Sequence, residues 1–264
     1  MAIISLLSDF GLKDPYVAEM KAVILSVCPE ARIVDISHEI EKFDIRIGAF
    51  VLASAAPFFP KGTAHVAVVD PGVGTKRRPI LVVTERAFYV GPDNGLLMLA
   101  AQRLGISHVY HVTNRKFLLS RISKTFHGRD IFAPTAAYLF EGHAPSEFGS
   151  EIDDYVVPRF AKPSLSRSVL FGEVLYIDDF GNVITNVSVK ELEKICIKNG
   201  DILRIKLKED MISLKLCTAY GEVKAKQPMA IIGSHGFLEI SVNQGNAARR
   251  FEVEVREPVE VSLS

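Results

Sequence analysis

The sequence predicts an α/β protein in two parts. The first is a three-layer α/β domain around a mainly parallel sheet, and the second is smaller and β-rich. Three observations carry this reading. Through residues 1–160, β-prone apolar runs alternate with segments of helical periodicity, the pattern of an open parallel sheet covered on both faces. Over residues 169–264, short β-rich segments follow one another between Gly, Asn and Asp turns, as in a small barrel or sandwich. Between the two, "VVPRFAKPSLSRS" (156–168) carries two prolines and three serines without periodicity and reads as a linker.

The elements follow in order. "AIISLLSD" is a continuous apolar run ending in polar residues, as a buried parallel strand does. "YVAEMKAVILSVC" places Val17, Met20, Val23, Ile24 and Val27 at helical spacing. "ARIVDIS" is a second strand, and "DIRIGAFVLASAAPFF" a second helix closed by Pro60. "AHVAVVD", "ILVVTE" and "AFYV" are strands. "DNGLLMLAAQRLG" is a helix with Asp93 near its start and Gly105 at its end. "SHVYHV" and "RDIFAPTAAYLFEG" complete the domain as strand and helix. The second part offers "VLFGEVLYID", "NVITNVS", "DILRIKLK", "MISLKLCTAY", "MAIIGS", "FLEISV" and "FEVEV" as strands, with "VKELEKI" a short helix.

Lys+Arg and Asp+Glu both total 31 in 264 residues, so no net field favours nucleic acid or an anionic membrane surface. The three cysteines are far apart and form no C-x-x-C pair, which suits reduced thiols in the cytoplasm. No apolar stretch is long enough to span a membrane, and the start lacks a signal-peptide pattern.

Polar clusters fall where strands end, the place where ligands bind in open α/β sheets. "DPGVGTKRR" has neither Walker A nor Rossmann spacing, and Asp70 at its entrance would repel a phosphate. Asp9 in "SDFG" is placed to accept hydrogen bonds from a ribose diol or, equally, to stabilise the turn. "TFHGRD" sets His127, Arg129 and Asp130 side by side. The histidines show no metal-ligand spacing, although Asp70, Asp93 and His127 could meet in space. In the second part, "YIDDFGNVITN" offers Asp178, Phe180 and Asn182 to a small polar ligand or to a hairpin turn. "GSHGFLEISVNQGNAA" offers Ser234 and Asn243 with the same ambiguity.

Taken together, "SDFGLKDPYVAEMK", "VVDPGVGTKRRP", "GPDNGLL", "TFHGRDIFAP", "IDDFGNVITN" and "GSHGFLEISVNQGNAA", in this order, resemble the S-adenosyl-L-methionine (SAM) hydroxide adenosyltransferases. These are SAM hydrolases related to the bacterial fluorinase and chlorinase. The resemblance covers nearly the whole chain. It implies a C-terminal β-barrel and a homotrimer, with SAM between the N-terminal domain of one subunit and the C-terminal domain of the next. It implies that Asp9 holds the ribose hydroxyls and that Asp14 and Asp178 lie near the methionine ammonium group. Ser234 then meets the methionine carboxylate, and Phe180, Asn182 and Tyr220 hold adenine, with Asn243 close by. The residues matching the hydrolase triad are Asp70, Arg77 and His127. The halogenases carry Tyr in place of Asp70 and Tyr-Ser in place of His127-Gly128, which favours water or hydroxide over halide here.

The resemblance implies adenosine and L-methionine as products, SAM as substrate and no cofactor or metal. The sulfonium leaves as a neutral thioether, so the reaction needs a nucleophile rather than an acid. Arg77 and His127 could stabilise hydroxide while Asp70 orients water, accepts its proton or holds the other two. A chlorinase-like halogenase, a non-catalytic SAM or adenosine sensor and a metal-dependent hydrolase are the competing readings. Lys76 and Arg78 are expected to be solvated or structural, because neighbouring residues of an extended stretch point opposite ways.

Overall fold

A computed structural model describes residues 2–264, which form two compact units divided between Pro158 and Arg159. The first unit is the expected α/β sandwich. Its elements are β1 (Ile3–Ser8), α1 (Tyr16–Val27), β2 (Arg32–Ser37), α2 (Ile45–Ala55), β3 (Thr63–Val68), β4 (Pro79–Thr84), β5 (Ala87–Pro92), α3 (Met98–Arg103), β6 (Ile106–His111) and α4 (Ala133–Phe140). The sheet order is β2-β1-β3-β5-β4-β6. The first four strands run parallel, and β4 is antiparallel to both neighbours. That reversal follows from the sequence, since Glu85 and Arg86 leave only a tight turn between β4 and β5, too short for a crossover helix.

Helices α1 and α4 pack together over one face of the sheet, and α2 packs on α3. Ile4, Leu6, Val66 and Val68 meet Met20, Ile24 and Phe132 in one core. The alternate residues are buried too, so β1 and β3 read as continuous apolar runs. Two polar side chains interrupt them: the Ser5 hydroxyl lies 2.6 Å from His65 Nδ1, and His65 stacks on Tyr89 at 5.0 Å between ring centroids. Burial pushes the His65 imidazole down from 6.5 to about 4.

The folded protein therefore excludes a proton that the unfolded chain binds below pH 6.5. The sign is fixed: His65 costs nothing above that pH and destabilises progressively as pH falls from 6.5 to 4, by about 3 kcal/mol in all. Urea midpoints measured over this range for the wild type and His65→Asn should diverge, with the wild type losing more stability. Parallel curves would contradict the assignment.

Several local expectations change. The helix expected from Asp93 begins only at Met98. Asn94 instead holds a turn, its amide donating to the Val69 carbonyl (2.8 Å) and its side-chain oxygen accepting from the Leu96 N–H (3.1 Å). The helix read through "RDIFAP" opens with a π-helical turn over Gly128–Phe132 before α4.

The second unit comprises β7 (Ser164–Ser166), β8 (Val169–Ile177), β9 (Val183–Ser188), α5 (Val189–Lys194), β10 (Ile202–Leu207), β11 (Asp210–Cys217), β12 (Pro228–Ile232), β13 (Phe237–Val242), α6 (Ala247–Arg250) and β14 (Pro258–Leu263). Strands β14-β10-β11-β12-β13-β9-β8 form a barrel closed by pairing of β8 with β14. Leu170, Val174, Leu203, Ile205, Leu238 and Ile240 fill it. The stretch read as a linker contains β7, which extends β8 at the edge, and Asn186 donates to the carbonyls of Arg159 and Phe160. "FEVEV" is not a strand: Phe251 closes α6, and Glu252 takes a left-handed φ of 51°, so the last strand starts at Pro258. Among the described residues no helix is long and apolar enough to cross a membrane.

Candidate active site

The carboxyl ends of β1 and β3 open into a cavity of about 390 Å³ in the first unit, where an α/β sheet is expected to bind ligands. Asp9 follows β1 and Asp70 follows β3, so the parallel pairing of these strands brings both acids to one rim. Asp14 and His127 line the same cavity.

Asp70 and Arg77 form a two-point ion pair. Arg77 Nε donates to Asp70 Oδ1 at 3.0 Å, and Nη2 donates to Oδ2. Both side chains are buried, at 5% and 7% exposure. The same Nη2 lies 3.0 Å from His127 Nδ1. A guanidinium only donates, so Nδ1 is the acceptor and the neutral ring carries its proton on Nε2. Burial, then the neighbouring Arg77 charge, lowers the His127 pKa against the opposing pull of Asp70 and Asp130. Arg77 Nη1 is buried and has no hydrogen-bond partner among the described residues.

The loop between β3 and β4 permits this contact. Gly74 has φ +75°, and a Cβ there would sit 2.2 Å from the Lys124 carbonyl, so the loop can lie against the segment leading to His127 only with glycine at this point. Gly128 is less confined, a Cβ there lying 3.2 Å from the Met20 sulfur and 3.3 Å from the Phe126 ring.

Arg78 points the other way, as the alternation predicts. It donates to Asp93 Oδ2 at 2.7 and 3.0 Å and to Asp154 Oδ1 at 2.7 Å. Asp93 also accepts from the Val156 N–H at 2.8 Å. It is thus committed to a structural clamp and not to a group with Asp70 and His127. Among the described residues no cluster of three or more His, Cys, Asp or Glu is arranged to hold a metal ion.

Asp9 Oδ2 accepts from the Phe43 N–H at 2.9 Å, and the Lys42 ammonium reaches the Asp9 carbonyl. Phe43, strained at φ 67°, and Lys42 line the cavity, and neither was singled out from the sequence. Nor was the aromatic wall, in which Phe10, Tyr16 and Phe126 meet edge to face at 5.2–5.8 Å. The signal was present, since all three stand inside the polar clusters, but an aromatic there reads first as core.

The second unit holds the remaining expected residues. Asp178 Oδ1 accepts from the N–H groups of Phe180 (3.0 Å) and Asn182 (2.8 Å), and Oδ2 from the Asn182 amide (2.8 Å). Turn and polar cluster are one object. Phe180 stands at its tip, 79% exposed. The Tyr220 hydroxyl donates to Glu239, 3.4 Å away, and Asn243 donates to the Val223 carbonyl. Ser234 and Asn243 flank β13 at opposite ends, so this strand does not bring them together.

This fold and site define the class, and residues 4–149 and 172–260 match the N-terminal and C-terminal domains of the SAM hydroxide adenosyltransferases. The chain belongs to that family. It is 37% identical to the (R)-S-adenosyl-L-methionine hydrolase of Methanocaldococcus jannaschii, over 98% of this chain and 95% of that one. It is 30% identical to a fluorinase from an Actinoplanes species, over 91% of each. The crystal structure of a conserved protein from Thermotoga maritima superposes with a TM-score of 0.82 at 37% identity, covering 98% of this chain and 99% of that one.

Proposed function

We propose that the protein hydrolyses SAM to adenosine and L-methionine by in-line attack of water or hydroxide on ribose C5′, with Asp70, Arg77 and His127 as the reaction centre. The observation that carries the roles is the direction of the hydrogen bonds. Each Asp70 oxygen accepts a bond from Arg77, which suits Asp70 to an orienting role. His127 Nδ1 is occupied as well, so the ring presents Nε2–H as a donor. The buried Arg77 Nη1 is a second donor. Two preorganised donors suit an oxygen nucleophile that is gaining or holding negative charge. The O–C5′ bond forms as the C5′–S bond breaks, the electron pair leaves on sulfur, and one proton goes to solvent.

Asp9 and the aromatic wall suit the ribose in this reading, and Asp14 the methionine end. Asp178, Phe180, Asn182, Tyr220, Ser234 and Asn243 serve the rest of the substrate. SAM is the substrate and no cofactor takes part. The proposal extends to a homotrimer acting in the cytoplasm, supported by a large aromatic, Phe180, left in solvent by the single chain and by three free cysteines.

The test is incubation of chelator-treated protein with SAM in oxygen-18 water, supplying both sulfonium epimers because the relatives' names specify the R form. The expected products are adenosine labelled at the 5′-oxygen and unlabelled methionine. Unlabelled adenosine, a halogenated nucleoside in the presence of halide, or intact SAM would each overturn the proposal.

A further inference from the structure

We infer that Glu239 is a substrate-binding residue of the barrel unit, which takes the primary ammonium group of the substrate's amino-acid portion jointly with Asp178. The inference rests on the function proposed above and adds to it a residue that the family resemblance did not supply.

Strand β13 alternates. Leu238 and Ile240 point into the barrel core, which puts Glu239 and Ser241 on its outer face. A carboxylate on an outer face is ordinarily solvated, yet Glu239 is only 5% exposed. Its cross-strand neighbours are Ile231 on β12 and Ile184 on β9, so apolar residues flank it on both sides. The titratable groups that face it are Asp178, from the β8–β9 turn, and Tyr220, from the turn after β11. No Lys or Arg among the described residues pairs with it. Burial first, and the Asp178 charge second, push the Glu239 carboxyl up to about 7, with the Tyr220 hydroxyl pulling the other way.

A buried acid beside a second acid, with no cation, is costly as structure and would be replaced without loss by an amide or an apolar residue. Its surroundings are shaped around it. A Cβ at Gly233 would lie 1.6 Å from Glu239 Oε1, so no other side chain fits there while the glutamate keeps this conformation. Ser241 supplies an independent sign of a ligand. It is fully buried on the same strand face beside the Tyr220 hydroxyl, and its Oγ makes no hydrogen bond of good geometry. An ammonium group carries three donors and one positive charge, which matches the unfilled acceptors of Glu239, Asp178 and Ser241. Asp178 already accepts three hydrogen bonds and has room for about one more.

Two measurements test this. First, KM and kcat for SAM are compared between wild type and Glu239→Gln from pH 6 to 8.5. The wild-type KM should rise as pH falls below 7, while the variant's KM should be about 10- to 100-fold higher at pH 8 and flat with pH. Adenosine, which lacks the ammonium group, should bind both equally. Wild-type-like KM with its pH dependence intact in the variant would overturn the inference. Second, and without any variant, S-adenosyl-L-homocysteine binding at pH 6.5 is measured calorimetrically in buffers of different ionisation enthalpy. Binding should release protons, and no release would overturn the inference. If wild type fails to hydrolyse SAM, the proposed function falls. If wild type is active and these two results fail, only the role of Glu239 falls.

Discussion

Asp70→Asn is expected to lower kcat by about 10²- to 10⁴-fold while leaving KM for SAM within a few fold. The substitution keeps the volume but turns one of the two acceptors facing Arg77 into a donor. Arg77 Nε or Nη2 then meets an N–H₂ group, and the guanidinium must move. Once it moves, His127 Nδ1 loses its donor at 3.0 Å, and with it the reason for the proton to sit on Nε2. Both donors proposed for the nucleophile are disturbed through one atom. Substrate affinity is spared because Asp9 and the aromatic wall are untouched. The matched control is Arg78→Met, which removes the adjacent cation from its clamp on Asp93 and Asp154 and should cost stability but little kcat. Steady-state kinetics of the two variants should therefore separate cleanly. Equal losses of kcat in both would mean that the charge cluster acts only as a whole.

The largest expected effect on stability is Arg129→Met, at about 3–5 kcal/mol. Asp130 is fully buried and is held by Arg129 Nε (2.6 Å), by Nη2 and by the Ser123 N–H (2.7 Å). Removing the guanidinium leaves a buried carboxylate with one backbone donor. Arg129 also bonds Glu19 on α1 at 2.7 Å and lies 4.9 Å from the Phe126 ring centroid, so the same change loosens the π-helical turn against its neighbours. Thermal and urea unfolding measure the loss. The double variant with Asp130→Leu should regain about half of it, because the orphaned charge has gone. A double variant no better than Arg129→Met alone would show that the cost lies elsewhere.

What the sequence discloses differs between the two halves for physical reasons. Continuous apolar runs and helical spacing made the strands and helices of the first unit readable, and the antiparallel course of β4 escaped because period says nothing about direction. Asp70 and Arg77 were singled out by the resemblance, and the two-residue period of extended chain only sets Arg77 apart from Lys76 and Arg78. That His127 would complete the group needed the resemblance, since no local pattern brings position 127 to position 77. Asp93 looked like a helix cap because Asp before an apolar run usually is one. Tertiary charge pairing with Arg78 decided otherwise. Glu239 was invisible, because an acid alternating with Leu238 and Ile240 is the normal signature of a solvated strand face. Only the surrounding side chains reveal that this one is dry.

The Asp70–Arg77 pair joins the end of β3 to the start of β4, and the residues between them are mostly exposed turn. The turn itself helps to hold the two partners: the Val73 N–H donates to the Asp70 carbonyl, and Thr75 Oγ1 donates to the Gly72 carbonyl and accepts from the Arg77 N–H. Sequence change in that connection spares the central pair only where the Thr75 hydroxyl and the glycine beside Lys124 are kept. Val73, however, faces the cavity. The same short segment therefore both holds the reacting pair and, at Val73, shapes the cavity. A lineage could drift in the molecules it accepts while the reaction it performs stays fixed.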